Sequence, residues 1–213
     1  FIILFVMHIN NNLSKKILIW YDNNQRTLPW RIIKNSKKKQ YYRLLSEFML
    51  QQTQVKTVIP YFHSFVKKIP NLKALSNSNE KTVLKLWEGL GYYNRAKNLH
   101  KTSKILIKKY NGQIPESFEE IKKLPGIGDY TANILLALIY NQPRVALDGN
   151  VKRVLSRLFN INIENAANLF KTKRNADLAE ALMEFGALIC KPHDPRCYEC
   201  KVKKMCKYYA SES

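Results

Sequence analysis

The sequence has no cysteine before position 190, no apolar run close to the roughly 20 residues that span a bilayer, and few carboxylates. Sixteen Asp and Glu stand against 36 Lys and Arg, a formal net charge of +20. That imbalance disfavours an acidic or neutral binding module and points to a polyanion, nucleic acid first and an anionic membrane surface second. A genome-wide bias toward Lys, Asn and Ile would produce the same excess without any function, so charge alone decides nothing. The apolar start, Phe1 to Val6, is too short to span a membrane, and no basic segment precedes it as a secretory signal requires. The chain begins without Met, so Met7 is a candidate start and residues 1–7 are set aside. The expected compartment is the cytoplasm, with no membrane partner, and thiols there stay reduced unless a metal holds them. Strand-like alternation and internal repeats are also missing, and 46% hydrophobic residues suffice for a packed core. The expected fold class is all-α.

Helical spacing predicts a first helix over 12–24 through Leu13, Ile17, Trp20 and Tyr21. Residues 34–40 read as a basic polar loop, and 41–52 as a helix apolar almost all round with one carboxylate, Glu47, inside it. The next helix runs through Tyr61, Phe62, Phe65 and Val66, with Pro60 in its first turn. Residues 79–87 form a short helix stopped by Gly89-Leu-Gly91, and 92–110 a longer one stopped by Asn111-Gly112. Ser117 with Glu120 reads as a capping box. Residues 129–141 read as a buried helix. Residues 149–159 are amphipathic, with Val151, Val154, Leu155 and Leu158 inward and Lys152, Arg153 and Arg157 outward. Two more helices are expected over 164–171 and 176–190.

Two stretches carry chemistry on their face. Leu124-Pro-Gly-Ile-Gly-Asp129 reads as a tight turn between helices, with Gly126 and Gly128 permitting close approach and Asp129 as N-cap. The helix behind it presents free N–H groups, a seat for phosphate and so a sequence-blind clamp on a DNA backbone. The second stretch is Cys190-x6-Cys197-x2-Cys200-x5-Cys206. Four thiols within 17 residues point to a soft metal centre, zinc or an iron–sulfur cluster, and ligand softness does not choose between them. His63, His100 and His193 have no ligand-like spacing. Glu47 among Leu44, Phe48 and Leu50 is a desolvated carboxyl suited to general-acid work, although Arg43 four residues earlier offers an ordinary helical pair. Asp148 before a helix has an N-cap as its ordinary role.

Hairpin, downstream Asp148 and the 6-2-5 cysteine loop, in that order, resemble the helix-hairpin-helix DNA glycosylases of the endonuclease III superfamily, within them the adenine-specific MutY type. The resemblance rests most on Leu28-Pro-Trp-Arg31, Ser46 to Val55, Gly89-Leu-Gly-Tyr-Tyr93, Leu147 to Val154 and Glu184 to Cys190. It implies a [4Fe-4S] cluster on Cys190, Cys197, Cys200 and Cys206. It implies two helical subdomains with the active site in the cleft between them: a barrel over 32–141, and 8–31 plus 142–213 with the cluster loop at 190–206. Glu47 would protonate adenine at N7, and Asp148, assisted by Asn150, would stabilise the oxocarbenium-like sugar. Tyr130 stands where strand-cutting relatives carry Lys, so the expected enzyme is monofunctional. Trp30, Arg31 and Glu180 match adenine-pocket positions, and Gln52 and Tyr92 match residues that wedge into the base stack. Leu124, Gly126, Gly128, Lys152 and Arg153 match DNA contacts.

The implied partner of a monomeric enzyme is double-stranded DNA with adenine opposite guanine or 8-oxoguanine. The alternatives are a thymine mismatch glycosylase and a cluster-bearing DNA-binding protein without catalysis. The pattern departs from the family in the basic segment before Tyr41, in Leu178-Ala179 before Glu180 and in the short stretch 160–175. The chain also runs only seven residues past Cys206, where relatives carry a domain that reads 8-oxoguanine. Weaker discrimination of the oxidised base is therefore expected.

Overall fold

The computed structural model describes residues 2–32, 36–159 and 172–212. Among these residues every regular element is a helix and none is a strand. The chain forms two compact units, Thr27–Leu135, and Phe1–Arg26 with Leu136–Ser213. Leu28 and Trp30, just past the first crossover, are buried in the 27–135 unit. There the Trp30 and Phe62 rings meet edge-on, centroids 5.3 Å apart.

Helix α1 is Ile2–Asn24. In the 27–135 unit, α2 is Ser36–Leu50 and every residue from Tyr41 to Met49 is buried. The basic loop expected at 34–40 is therefore, from Ser36 on, the opening of this helix. No Gly or Pro interrupts Ser36 to Gln40, and lysines sustain a solvated helical turn. Helix α3 is Val55–Lys68 and buries Val58, Phe62 and Phe65, a spacing of four and three. Pro60 is its sixth residue rather than part of its first turn, and it lies on the exposed face. Lys67 and Lys68 close this helix where its dipole favours cations.

A six-residue helix, α4 (Leu72–Asn77), has no counterpart in the sequence expectation. Its signal is Asn71, whose side chain accepts the Ala74 N–H at 2.8 Å. Helix α5 (Glu80–Leu86) is capped in the same way by Asn79. Helix α6 (Asn94–Tyr110) ends as its sequence predicts, with Asn111 at φ 51° and Gly112 at φ 75°. The Gly112 N–H returns to the Leu106 carbonyl at 2.9 Å, closing the helix end. Helix α7 is Phe118–Lys122. Ser117 precedes it in extended backbone but its side chain makes no capping bond, so the expected box does not form. Helix α8 is Asp129–Tyr140.

In the other unit, α9 (Gly149–Phe159) buries Val151, Val154, Leu155 and Leu158 as its spacing predicts. Helix α10 is Asn175–Leu188, followed by a 3-10 turn at Lys203–Met205 and α11 at Lys207–Glu212. The helix expected over 164–171 lies outside the described residues. Leu13, Ile17, Trp20 and Tyr21 of α1 share a core with the buried face of α9 and with Leu178, Leu182 and Phe185 of α10. Trp20 and Phe185 meet edge-on at 5.0 Å, a geometry the ring quadrupoles favour.

Candidate functional site

In the 27–135 unit the candidate chemistry begins on α2. Glu47 is 8% exposed, on the same buried stretch as Leu44, Leu45, Phe48 and Met49. Just past the helix the chain turns through Gln52, whose φ is 57°. Tyr92, in the turn after Gly89-Leu-Gly91, has φ 49° and is 64% exposed. Both positions matched to base-stack wedges thus carry a backbone that non-glycine residues seldom adopt. That exposure keeps the Tyr92 ring out of the core.

One residue that sequence reasoning passed over joins these turns. Arg95, buried on α6, donates through Nη1 to the carbonyls of Met49 at 2.8 Å and Phe48 at 3.3 Å, to Thr53 Oγ1 at 3.0 Å, and to the Gln51 carbonyl. Its Nη2 donates to the carbonyls of Leu90 and Gly91 at 3.1 and 3.0 Å. Burial pulls the guanidinium below its usual pKa. The Trp87 and Tyr92 rings lie within cation–π range of it, at 5.5 and 5.4 Å.

The hairpin turn is tied into the same unit. The Gln51 amide donates to the Gly126 carbonyl at 3.2 Å, and Thr102 Oγ1 donates to the Pro125 carbonyl at 2.9 Å. At Gly126, φ is 78° and a Cβ would stand 2.8 Å from both Phe48 Cε1 and Asn98 Cβ. Glycine is required there. At Gly128 a Cβ would meet nothing within 4 Å, so the close packing expected of both glycines holds only for the first. Leu124 is buried, whereas Gly126 and Gly128 are exposed. Asp129 is the first residue of α8 rather than its cap, and its carboxylate pairs with Lys122 Nζ at 2.5 Å. The Lys122 ammonium is raised above its ordinary pKa by that hydrogen bond. Tyr130 follows, half-buried, and Trp30 is buried against Phe62 beside half-buried Arg31.

In the other unit Asp148 caps α9. Its Oδ1 accepts the Val151 N–H at 2.7 Å, and Oδ2 faces the Asn150 amide nitrogen at 3.4 Å. Asn150 Oδ1 in turn accepts from Arg153 Nη2 at 2.7 Å. Arg153 also donates to the carbonyls of Gly186 and Cys190, both at 2.8 Å. Its guanidinium is turned onto α10 and the start of the cysteine loop, unlike exposed Lys152. A Cβ on Gly186 would come 2.7 Å from Asn150 Cβ, so the two helices touch at this point. Glu180, buried on α10, accepts the Tyr21 hydroxyl at 3.0 Å. One turn on, Glu184 is 1% exposed and receives Arg26 in a bidentate grip, two contacts being 2.8 Å. Neither Tyr21 nor Arg26 stands out in the sequence, because their partners lie about 160 positions away.

All four cysteines are half-buried and line one cavity, with Val154, Arg157 and Val202 among its walls. Burial first, then the neighbouring thiols, pushes the Cys200 thiol up to about 11. Among the described residues no group of three or more His, Cys, Asp or Glu converges as tightly as a single ion demands. The four thiols on one cavity are soft donors of the kind that hold zinc or an iron–sulfur cluster. Arg157 organises the rim, donating to the Lys191 and Pro192 carbonyls at 2.6 and 3.0 Å, with Nη1 also 3.6 Å from Cys190 Sγ.

The sequence profile of the HhH-GPD superfamily of base excision DNA repair proteins matches residues 45–178, a span that takes in Glu47, the hairpin, Asp148 and α9. The chain belongs to this superfamily. Among individual HhH-GPD relatives, the adenine DNA glycosylase of Buchnera aphidicola subsp. Baizongia pistaciae is 48% identical over 204 residues. That alignment covers 91% of this chain and 57% of the relative. The mouse adenine DNA glycosylase is 36% identical, again over 91% of this chain but 41% of its own length. The chain thus spans little more than half, or less, of these curated relatives. Among solved HhH-GPD structures, a thermostable thymine-DNA glycosylase superposes with a TM-score of 0.83 at 27% identity, covering 95% and 97% of the two chains. A trapped endonuclease III–DNA covalent intermediate gives 0.76 at 21% identity over 97% and 98%, which supports the fold alone.

Proposed function

We propose that this HhH-GPD protein is a monofunctional DNA glycosylase releasing adenine mispaired with guanine or 8-oxoguanine. The observation that carries the reading is Glu47, a carboxyl group 8% exposed within an apolar helix of a chain 48% identical to an adenine DNA glycosylase. Neutral adenine leaves far more readily than its anion, so a carboxylic acid that protonates N7 lowers the barrier. Departure of the base leaves positive charge at C1′, and the Asp148 carboxylate stabilises it electrostatically. Its bonds from Val151 N–H and Asn150 keep that carboxylate oriented. Water then adds to the sugar. Tyr130 offers a phenol where a Schiff base needs an amine, so the strand stays intact.

The DNA is held through its phosphates by the Gly126 to Asp129 turn and the N–H groups opening α8, with exposed Lys152 adding charge. Gln52 and Tyr92 enter the base stack, and Trp30, Arg31 and Glu180 shape the adenine pocket. Base extraction precedes chemistry. Cys190, Cys197, Cys200 and Cys206 hold a [4Fe-4S] cluster, which when bound cross-links the loop and presents its lysines to DNA. The enzyme works as a cytoplasmic monomer. Among the described residues no helix is long and apolar enough to cross a membrane.

A duplex labelled on one strand tests this reading. Incubation and then alkali should cut at adenine opposite guanine or 8-oxoguanine, with no scission before alkali. Cleavage at thymine opposite guanine would favour the second reading, supported by the 0.83 likeness to a thymine-DNA glycosylase. No cleavage would leave a DNA-binding protein. Glu47→Gln should lower base release by at least about a hundredfold while sparing duplex binding; unchanged turnover would remove Glu47 from the acid role.

A further inference from the structure

We propose that Arg95 is a positioning residue that assembles the wedge before DNA arrives, one guanidinium holding the turns of Gln52 and Tyr92 together; this rests on the wedge role given above. The division of its donors makes the case. Nη1 serves the end of α2 and the Gln51–Thr53 turn, and Nη2 serves only the Leu90–Gly91 turn. Because the fork is planar and rigid, fixing one turn on Nη1 fixes the other on Nη2. Both turns are costly on their own. Gln52 and Tyr92 each hold a left-handed backbone, and such conformations persist only where their surroundings over-determine them. The last carbonyls of α2 also lack helical partners, and a buried cation meets that need.

Residues entering a base stack must arrive together, since each left-handed turn, once released, relaxes and swings its side chain away. A lysine cannot substitute. Its ammonium carries three donors on one nitrogen at the end of a flexible stem, whereas Arg95 spreads four N–H over two nitrogens, one toward the end of α2 and its turn and one toward Leu90–Gly91. Arg95 touches neither base nor sugar in this scheme; it acts through Gln52 and Tyr92.

The experiment compares the full chain with its Arg95→Lys and Arg95→Met variants on a duplex carrying 2-aminopurine beside the mispaired adenine. The fluorescence rise reads base extrusion without any bond breaking. Extrusion should slow by about tenfold or more in both variants, the scale of lost charged hydrogen bonds. Duplex affinity at low salt should stay within about threefold. Base release should fall in parallel on the fully paired duplex and recover on a duplex whose target adenine is bulged and already unstacked. Wild-type extrusion by Arg95→Lys would overturn the proposal. So would equal losses of binding, extrusion and release on paired and bulged duplexes, which mark a merely structural residue. Thr53→Val removes one acceptor of Nη1 and keeps the side-chain shape, and covers the case in which neither Arg95 variant folds. It should slow extrusion by about threefold, and no change there would count against the proposal. If the unmodified protein extrudes the base yet releases no adenine, the glycosylase reading fails while extrusion still judges Arg95.

Discussion

The two units use arginine in different ways. In the 27–135 unit Arg95, buried as Arg43 also is, holds two turns whose backbones are left-handed. In the other unit four arginines share simpler tasks. Arg153 and Arg157 satisfy carbonyls at the end of α10 and in the cysteine loop, Arg26 grips Glu184, and Arg174 bridges Asp22 and Asp177 at the surface. The difference teaches that the +20 charge overstates what faces a polyanion. Arg95, Arg153 and Arg157 turn their planar guanidinium groups onto backbone oxygens, while lysines such as Lys152 and Lys201 stand exposed.

That contrast can be broken or sharpened by measurement. The largest effect is expected at Arg26→Met, which leaves a carboxylate 1% exposed without its bidentate partner. It should lower unfolding free energy in urea by about 3 kcal/mol; a change below about 1 kcal/mol would put Glu184 among the surface pairs. Next comes Gly126→Ala. A Cβ 2.8 Å from Phe48 and Asn98, on a left-handed backbone, should destabilise by about 1–3 kcal/mol and weaken duplex binding. Gly128→Ala has open space and should stay within about 0.5 kcal/mol. Equal effects at the two glycines would contradict the packing described for the turn.

A smaller effect than that of Arg26 or Gly126 belongs to Asp22. Its hydrogen bond from Arg174 holds the carboxyl below the ordinary carboxylate pKa. A lowered folded value means stability present above about pH 4 and lost as pH falls through it. Both side chains are more than two-fifths exposed, so solvent screening limits the loss to under about 1 kcal/mol. Urea unfolding of Asp22→Asn against the parent protein at pH 7 and pH 3 checks it: the difference should shrink at the lower pH.

Much of the helical order was legible because burial follows period. The inward face of α9 and the Asn111-Gly112 stop of α6 both stand as their spacing predicts. Short range failed where local signals competed. Lysines at 37–39 suggest a loop but open a helix, Pro60 suggests a helix start but sits inside one, and Ser117 has capping chemistry without the bond. At the candidate site, the burial of Glu47 and the capping position of Asp148 were readable from their neighbours. Arg95 was not, because five of its six acceptors are backbone carbonyls, three of them more than 40 positions away, and a carbonyl leaves no letter in the sequence. Helical phase puts Arg153 on an outer face, yet its side chain folds back onto Gly186 and Cys190.

Gly186 has no side chain to offer chemistry, yet its missing methyl sets where a neighbour's amide can stand. With Asn150 Cβ 2.7 Å from where that methyl would be, any larger residue pushes Asn150 aside, and Asp148 loses a donor. The contour of one helix against another thus reaches the acid two residues before Asn150, through a place where nothing is.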